Sequence, residues 1–142
     1  MKTYVGIGYG RHVLIHLGKG ELVLESIQKE IERLNIRSGI VTSGIGSARK
    51  IVYHRIGNLA PDPLNLYVTV EGPMEIGAIQ GLIVDGEPHL HIVCYGEDGA
   101  FSGHLEPGCE IQYLAEISII ELEDADLVRR LDEFGISYID KR

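Results

Sequence analysis

The 142-residue chain contains no tryptophan and only two cysteines, Cys94 and Cys109. Two thiols do not make a disulfide framework, so the fold must rest on a packed core and the thiols are expected to be reduced. No apolar run reaches the ~18–20 residues that a membrane-spanning helix requires. The start, MKTYVGIGYG, lacks the apolar stretch of a secretory signal, which gives a cytoplasmic expectation. Positive charge is also scarce: 13 Lys and Arg stand against 21 Asp and Glu, for a net charge of −8. Such a chain is a poor ligand for polyanions unless a basic patch is hidden in it, and nucleic acid is therefore disfavoured as a partner. Arg129, Arg130, Lys141 and Arg142 form the one basic cluster, and it sits among acids. Repeats, low-complexity tracts and linkers are missing too, so residues 1–142 are expected to form a single domain.

What the chain has in abundance is glycine, 18 residues, together with short β-rich runs. Arg11–Leu17 reads as a strand. Leu24, Ile27, Ile31 and Leu34 are spaced three, four and three apart and share one helix face, and this helix should stop near Asn35. Gly39–Ser43, Lys50–Arg55, Leu66–Glu71, a bent or bulged Met74–Val84, His89–Tyr95, Ala100–Leu105 and Ile111–Leu122 follow as strands. Asp124 is placed to cap a short helix through Leu127, Leu131 and Phe134 ending at Gly135, and Ile136–Ile139 would add an edge strand. The expected class is α+β: a mostly antiparallel, twisted sheet with one main helix and one short C-terminal helix.

Chemistry concentrates in the histidines. His89 and His91 are at i and i+2 of a strand, so their imidazoles project from the same face with Cβ atoms roughly 7 Å apart. Glu97-Asp98-Gly99 is a strong hairpin signal. With Glu97 and Asp98 at its centre, the numbers of paired residues sum to about 195, and His91 falls opposite His104. Three neutral imidazoles at ~2.0–2.1 Å suit Zn²⁺ and leave the fourth tetrahedral position open to water or a small anionic ligand. Nickel, copper and iron also accept imidazole, so the ligand type specifies metal binding more firmly than it specifies zinc. The alternative is that these are polar residues on the solvated face of a hairpin.

Other candidates are weaker. Cys94 alternates with the outward histidines and belongs to the core, and Cys109 lies in a loop beyond His104. His12 and His16 read as an ordinary partly exposed pair, and His54 as an exposed strand residue. Glu75 is a candidate general base near a metal-bound water, with Glu71 a lesser one. Gly6, Gly8 and Gly10 form GxGxG with no helix following, which fails the structural condition for a dinucleotide site. Ser43-Gly44-Ile45-Gly46-Ser47 reads as a tight connection between strands whose amides could face an anion.

HLH at 89–91, DGAFSGHLEPG at 98–108 and the alternating run after it resemble the plants-and-prokaryotes-conserved (PPC) domain. The frame of GKGE before a helix, then SGIGS, then GPMEI with Gly81, extends the likeness over roughly residues 10–122. Ser102 stands where the family pattern has the first glycine of GGH. The resemblance implies a stand-alone prokaryotic member: an α+β domain forming homotrimers, with histidines matching His89, His91 and His104 associated with zinc. Plant relatives bind AT-rich DNA through AT-hooks outside the domain, and this sequence has no Arg-Gly-Arg-Pro hook. The reading is therefore a homotrimeric metal-binding domain, in which the metal either supports hydrolysis or hydration of a small polar molecule or anchors a ligand. A DNA-associated or protein-interaction module is the alternative.

Overall fold

In a computed structural model, which describes residues 1–5 and 8–142, the chain runs β1 (Gly8–Gly18), α1 (Val23–Leu34), β2 (Ser38–Ile56), β3 (Asn65–Val84), β4 (Glu87–Gly96), β5 (Gly99–Leu105), β6 (Glu110–Glu123), β7 (Leu127–Leu131) and β8 (Ser137–Lys141). The first six strands form one antiparallel sheet in the order β1-β6-β2-β3-β4-β5, and β5 pairs back onto β2. β2 therefore keeps β3 on one side throughout, while its other side pairs with β6 from Gly39 to Lys50 and with β5 at Tyr53 and His54. This closure brings residues from distant parts of the sequence to one place. Among the described residues no helix is long and apolar enough to cross a membrane.

The helix forms where its apolar spacing puts it. Val23, Ile27 and Ile31 are buried, and Asn35 ends it in the left-handed conformation at φ 52°, its N–H bonding back to Glu32 O. The buried face joins Ile51, Ile79, Ile92, Ile111, Ile117 and Ile119 of the sheet in one core. A core so rich in isoleucine suits strands, because β-branched side chains pack well on a pleated surface.

Several sequence expectations are corrected. Gly39–Ser43 and Lys50–Arg55 are parts of one 19-residue strand, and Leu66–Glu71 and Met74–Val84 are parts of one 20-residue strand. The SGIGS segment is accordingly neither a connection nor an exposed amide loop. Its glycines serve close packing within β2: a Cβ at Gly44 would lie 2.5 Å from Ile79 Cβ, and register shifts on either side absorb the bends.

The second helix does not form. Residues 127–141 make a two-stranded hairpin, β7–β8. Leu127, Leu131 and Phe134 have helical spacing, but local bonds at Asp132 and a glycine set a turn instead. Asp132 Oδ1 accepts from the N–H groups of Phe134 (2.9 Å) and Ile136 (2.8 Å), and Gly135 takes φ +76°. Asp124 is itself left-handed at φ 57° and caps nothing. A strand does form near Ile136–Ile139, as β8, but it pairs with β7 in a separate two-stranded sheet and does not extend the main one. In the GxGxG segment Gly6 lies outside the described residues, while Gly8 and Gly10 begin β1.

Candidate metal centre

The β4–β5 hairpin has the register the sequence implies. Gly96 pairs with Gly99 around Glu97 and Asp98, and His91 lies directly opposite His104. Alternation along β4 buries Leu90, Ile92 and Cys94 and turns His89 and His91 outward. His104 projects from the same side of β5. The ring centres are 4.8 Å apart for His89–His104, 5.8 Å for His89–His91 and 5.9 Å for His91–His104. Imidazoles sharing one tetrahedral ion have ring centres about 5 Å apart, given metal–nitrogen bonds of ~2.0–2.1 Å. The ring centres lie near that spacing, but the described donor atoms already within 4.8 Å of one another are those of His54, His104 and Glu106, so an ion on His89, His91 and His104 requires their side chains to turn inward.

Sheet closure adds two residues. His54, on β2, pairs with His104 across the β2–β5 seam and stacks on it at 4.5 Å. Glu106 follows β5, held by its N–H bond to Val52 O. Its Oε1 accepts from His54 Nδ1 at 2.6 Å and from His104 Nδ1 at 2.9 Å. Ligand atoms of His54, His104 and Glu106 lie within 4.8 Å of one another, a grouping able to hold a metal ion. The two hydrogen bonds are sufficient to produce that proximity. An ion seated there would have to displace both Nδ1 protons, whereas His89, His91 and the Nε2 of His104 keep their lone pairs for an ion without breaking any bond to Glu106. A carboxylate that fixes the far nitrogen of a ligating histidine is the usual outer arrangement of a histidine metal site.

The electrostatics suit a cation ligand set. Burial, reinforced by the neighbouring His104 and Arg129, pushes His89 down to about 4. Burial and His54 also hold His104 below the ordinary histidine range, against the opposing pull of Glu106. Both rings are therefore neutral at pH 7, the form that binds metal.

The remaining candidates lie elsewhere. Glu75 pairs with Ser47 and Tyr95, five residues along β3 from Gln80, the partner of His91. At ~3.3 Å per residue this is roughly 16 Å from the histidines, and the structure does not bring Glu75 or the more distant Glu71 to them. The carboxylate at the site is Glu106, which the sequence reading missed although its position at i+2 from His104 was a usable signal. His54 was also missed, because nothing local announces the β2–β5 seam. Cys94 is core, as expected, and Cys109 is a buried pin whose Sγ lies 3.1 Å from the donating N–H of Val52. His12 is exposed and its Nε2 contacts Ser118 Oγ at 2.8 Å, and His16 is exposed on the same strand.

Solved structures with this fold include a plant- and prokaryote-conserved protein from Pyrococcus horikoshii, 28% identical, with 100% of this chain and 99% of that one covered at a TM-score of 0.80. A metal-containing protein from Archaeoglobus fulgidus is 22% identical, with 95% of each chain covered and a TM-score of 0.78. A Bacteroides thetaiotaomicron protein, provisionally called DNA-binding, is 18% identical, with 94% and 96% covered and a TM-score of 0.79. No curated protein matches in sequence. Residues 5–123 match the model of one family, and on that match the chain belongs to the Plants and Prokaryotes Conserved (PCC) domain family.

Proposed function

We propose that this chain is a metal-binding PCC-domain protein whose ion, zinc by ligand type, is held by His89, His91 and His104 with one coordination position open to a small anionic ligand. The observation that carries the reading is the placement of three neighbouring imidazoles on one outward face, at ring-centre distances of 4.8–5.9 Å. The hydrogen bond from His104 Nδ1 to Glu106 supports it by fixing that ring's tautomer, and the name of the Archaeoglobus relative is consistent with it. An imidazole-held zinc supplies Lewis acidity at its open position. Metal analysis of the purified protein tests the reading: one equivalent in the wild type and a substoichiometric amount in His91→Ala are expected. A metal-free wild type after growth and purification with zinc present would sink it.

Self-association as a homotrimer is part of the same proposal. Leu14 and Ile45, exposed on β1 and β2, line one cleft, and Tyr113 and Leu114 are exposed farther along β6. Such apolar surface favours a protein contact. Sedimentation should give a species three times the 15.7 kDa chain mass, and a monomer would refute it. The rival, DNA association, draws on the Bacteroides relative's name alone. The net charge of −8 opposes it. Tight, salt-sensitive binding to AT-rich duplex would reverse the ranking.

A further inference from the structure

The C-terminal hairpin β7–β8 follows the end of the family match at residue 123. It packs beside the histidine face and borders a shallow, open cleft of ≈ 780 Å³. His89, His91 and Arg129 line it together with Ile40, Leu82 and Ile139.

Arg129 is the unusual member. Its hairpin neighbours are paired: Arg130 Nε lies 3.7 Å from Asp140, and Arg142 reaches Asp126 at 2.9 Å and Asp85 at 2.7 Å. Arg129 is partly buried, yet among the described residues its guanidinium makes no ion pair and no hydrogen bond. Glu87 is the acid that acts on it, from beyond ion-pair distance, and burial holds the group below the ordinary arginine value. Among the described residues no side-chain nitrogen is buried without a partner, so the Arg129 donors reach solvent and are free for a ligand in the cleft. The planar guanidinium fork matches a carboxylate or phosphate.

We propose that this cleft binds a small organic anion, its charged head shared between the histidine-held metal and the Arg129 guanidinium, and its apolar part against Ile40, Leu82 and Ile139. The inference rests on the metal reading above and adds the ligand's chemical class and the residue that selects it. The guanidinium and an ion held by the histidines would specify the charge, and the apolar lining an organic body.

The test uses the full chain loaded with Co²⁺, whose visible absorption reports both metal uptake and occupation of the open position. Acetate, hexanoate and inorganic phosphate are titrated into the wild type, R129Q, R129K and R130Q. Hexanoate should bind more tightly than acetate, by up to about fourfold per buried methylene, and more tightly than phosphate. R129Q should weaken both carboxylates about tenfold to a hundredfold, the worth of a charge-assisted hydrogen bond, with cobalt uptake unchanged. R129K should recover part of the loss. R130Q removes the same charge from the opposite face of β7 and should match the wild type, so a general charge effect or a loosened hairpin is separated from recognition. Equal affinity in R129Q and wild type, with cobalt bound to both, overturns the inference and leaves the metal reading standing. Hexanoate no tighter than acetate, or phosphate the tightest of the three, overturns the organic-anion assignment. A wild type that takes up no cobalt overturns the metal reading and this inference with it.

Discussion

Replacing Glu106 with glutamine keeps the shape of the side chain and one acceptor oxygen but removes the charge. Oε1 of Glu106 accepts from His54 at 2.6 Å and from His104 at 2.9 Å. The three side chains are only 19%, 16% and 28% exposed, respectively, so solvent does little to replace the interaction. A hydrogen bond to a charged group is worth ~1.5–3 kcal/mol and a neutral one ~0.5–1.5. The charge therefore contributes about 1–1.5 kcal/mol to each bond, roughly fivefold to tenfold. Of the two histidines only His104 is assigned as a ligand. Its share, through ring orientation and nitrogen basicity, corresponds to about tenfold in metal affinity, at the lower end of what such outer-sphere partners contribute. Competition against a chromogenic chelator, with thermal melts of the metal-free proteins run alongside, measures this directly. Glu106→Gln should bind about tenfold more weakly, and His91→Ala should be the far more damaging change. Unchanged affinity in a stably folded Glu106→Gln would refute the positioning role. Loss of all binding in Glu106→Gln with binding retained in His91→Ala would move the ion to the His54–His104–Glu106 group.

Three further outcomes follow from the packing and the charges. Gly103→Ala puts a Cβ 2.5 Å from both His54 O and Tyr53 Cδ2, at the seam between β5 and β2. It should cost about 1–3 kcal/mol in denaturant unfolding and weaken metal binding, and a wild-type midpoint would contradict the seam. Burial pushes the thiol of Cys94 up to about 12 and that of Cys109 up to about 11. Neither should react with a disulfide reagent in the native protein near pH 8, and both should react on unfolding; prompt native labelling would be contrary. Arg11 holds Glu121 below the ordinary carboxylate range through bonds of 2.7 and 3.0 Å. A lowered folded pKa adds stability above the unfolded value and loses it as pH falls through the folded one. Glu121→Gln should therefore be less stable than wild type at pH 7, by no more than about 1 kcal/mol for so exposed a pair, and equal to it at about pH 2. A difference that survives at the lower pH would assign the effect to packing.

How much of this was legible in the sequence depends on range. The helix was, because Ile27 and Ile31 repeat at helical spacing and Asn35 stops them. So was the His91–His104 pairing, because a two-residue turn sets hairpin register with no reference to the rest of the chain. The long β2 and β3 read as broken because Gly44, Gly46 and Gly72 carry the signature of turns, while here Gly44 and Gly46 admit close neighbours and Gly72, at φ +133°, sits at a register shift. Residues 127–134 misled because leucines four apart fit a helix, and the Asp132 side-chain bonds that set the hairpin turn leave no periodic trace. His54 was invisible for a different reason. Its partner His104 is fifty residues away in sequence, and only the closure of β5 onto β2 joins them. Glu106 then couples the two rings, so half of the site comes from topology and half from a local motif.

Anomalous X-ray scattering from crystals of the zinc-loaded protein locates the ion. One strong peak is expected on the outward face of β4 and β5, bonded to His89, His91 and Nε2 of His104 at about 2.0–2.1 Å, with Glu106 outside the coordination sphere. A peak bonded to Glu106 and His54, or no peak at these histidines, would contradict this placement.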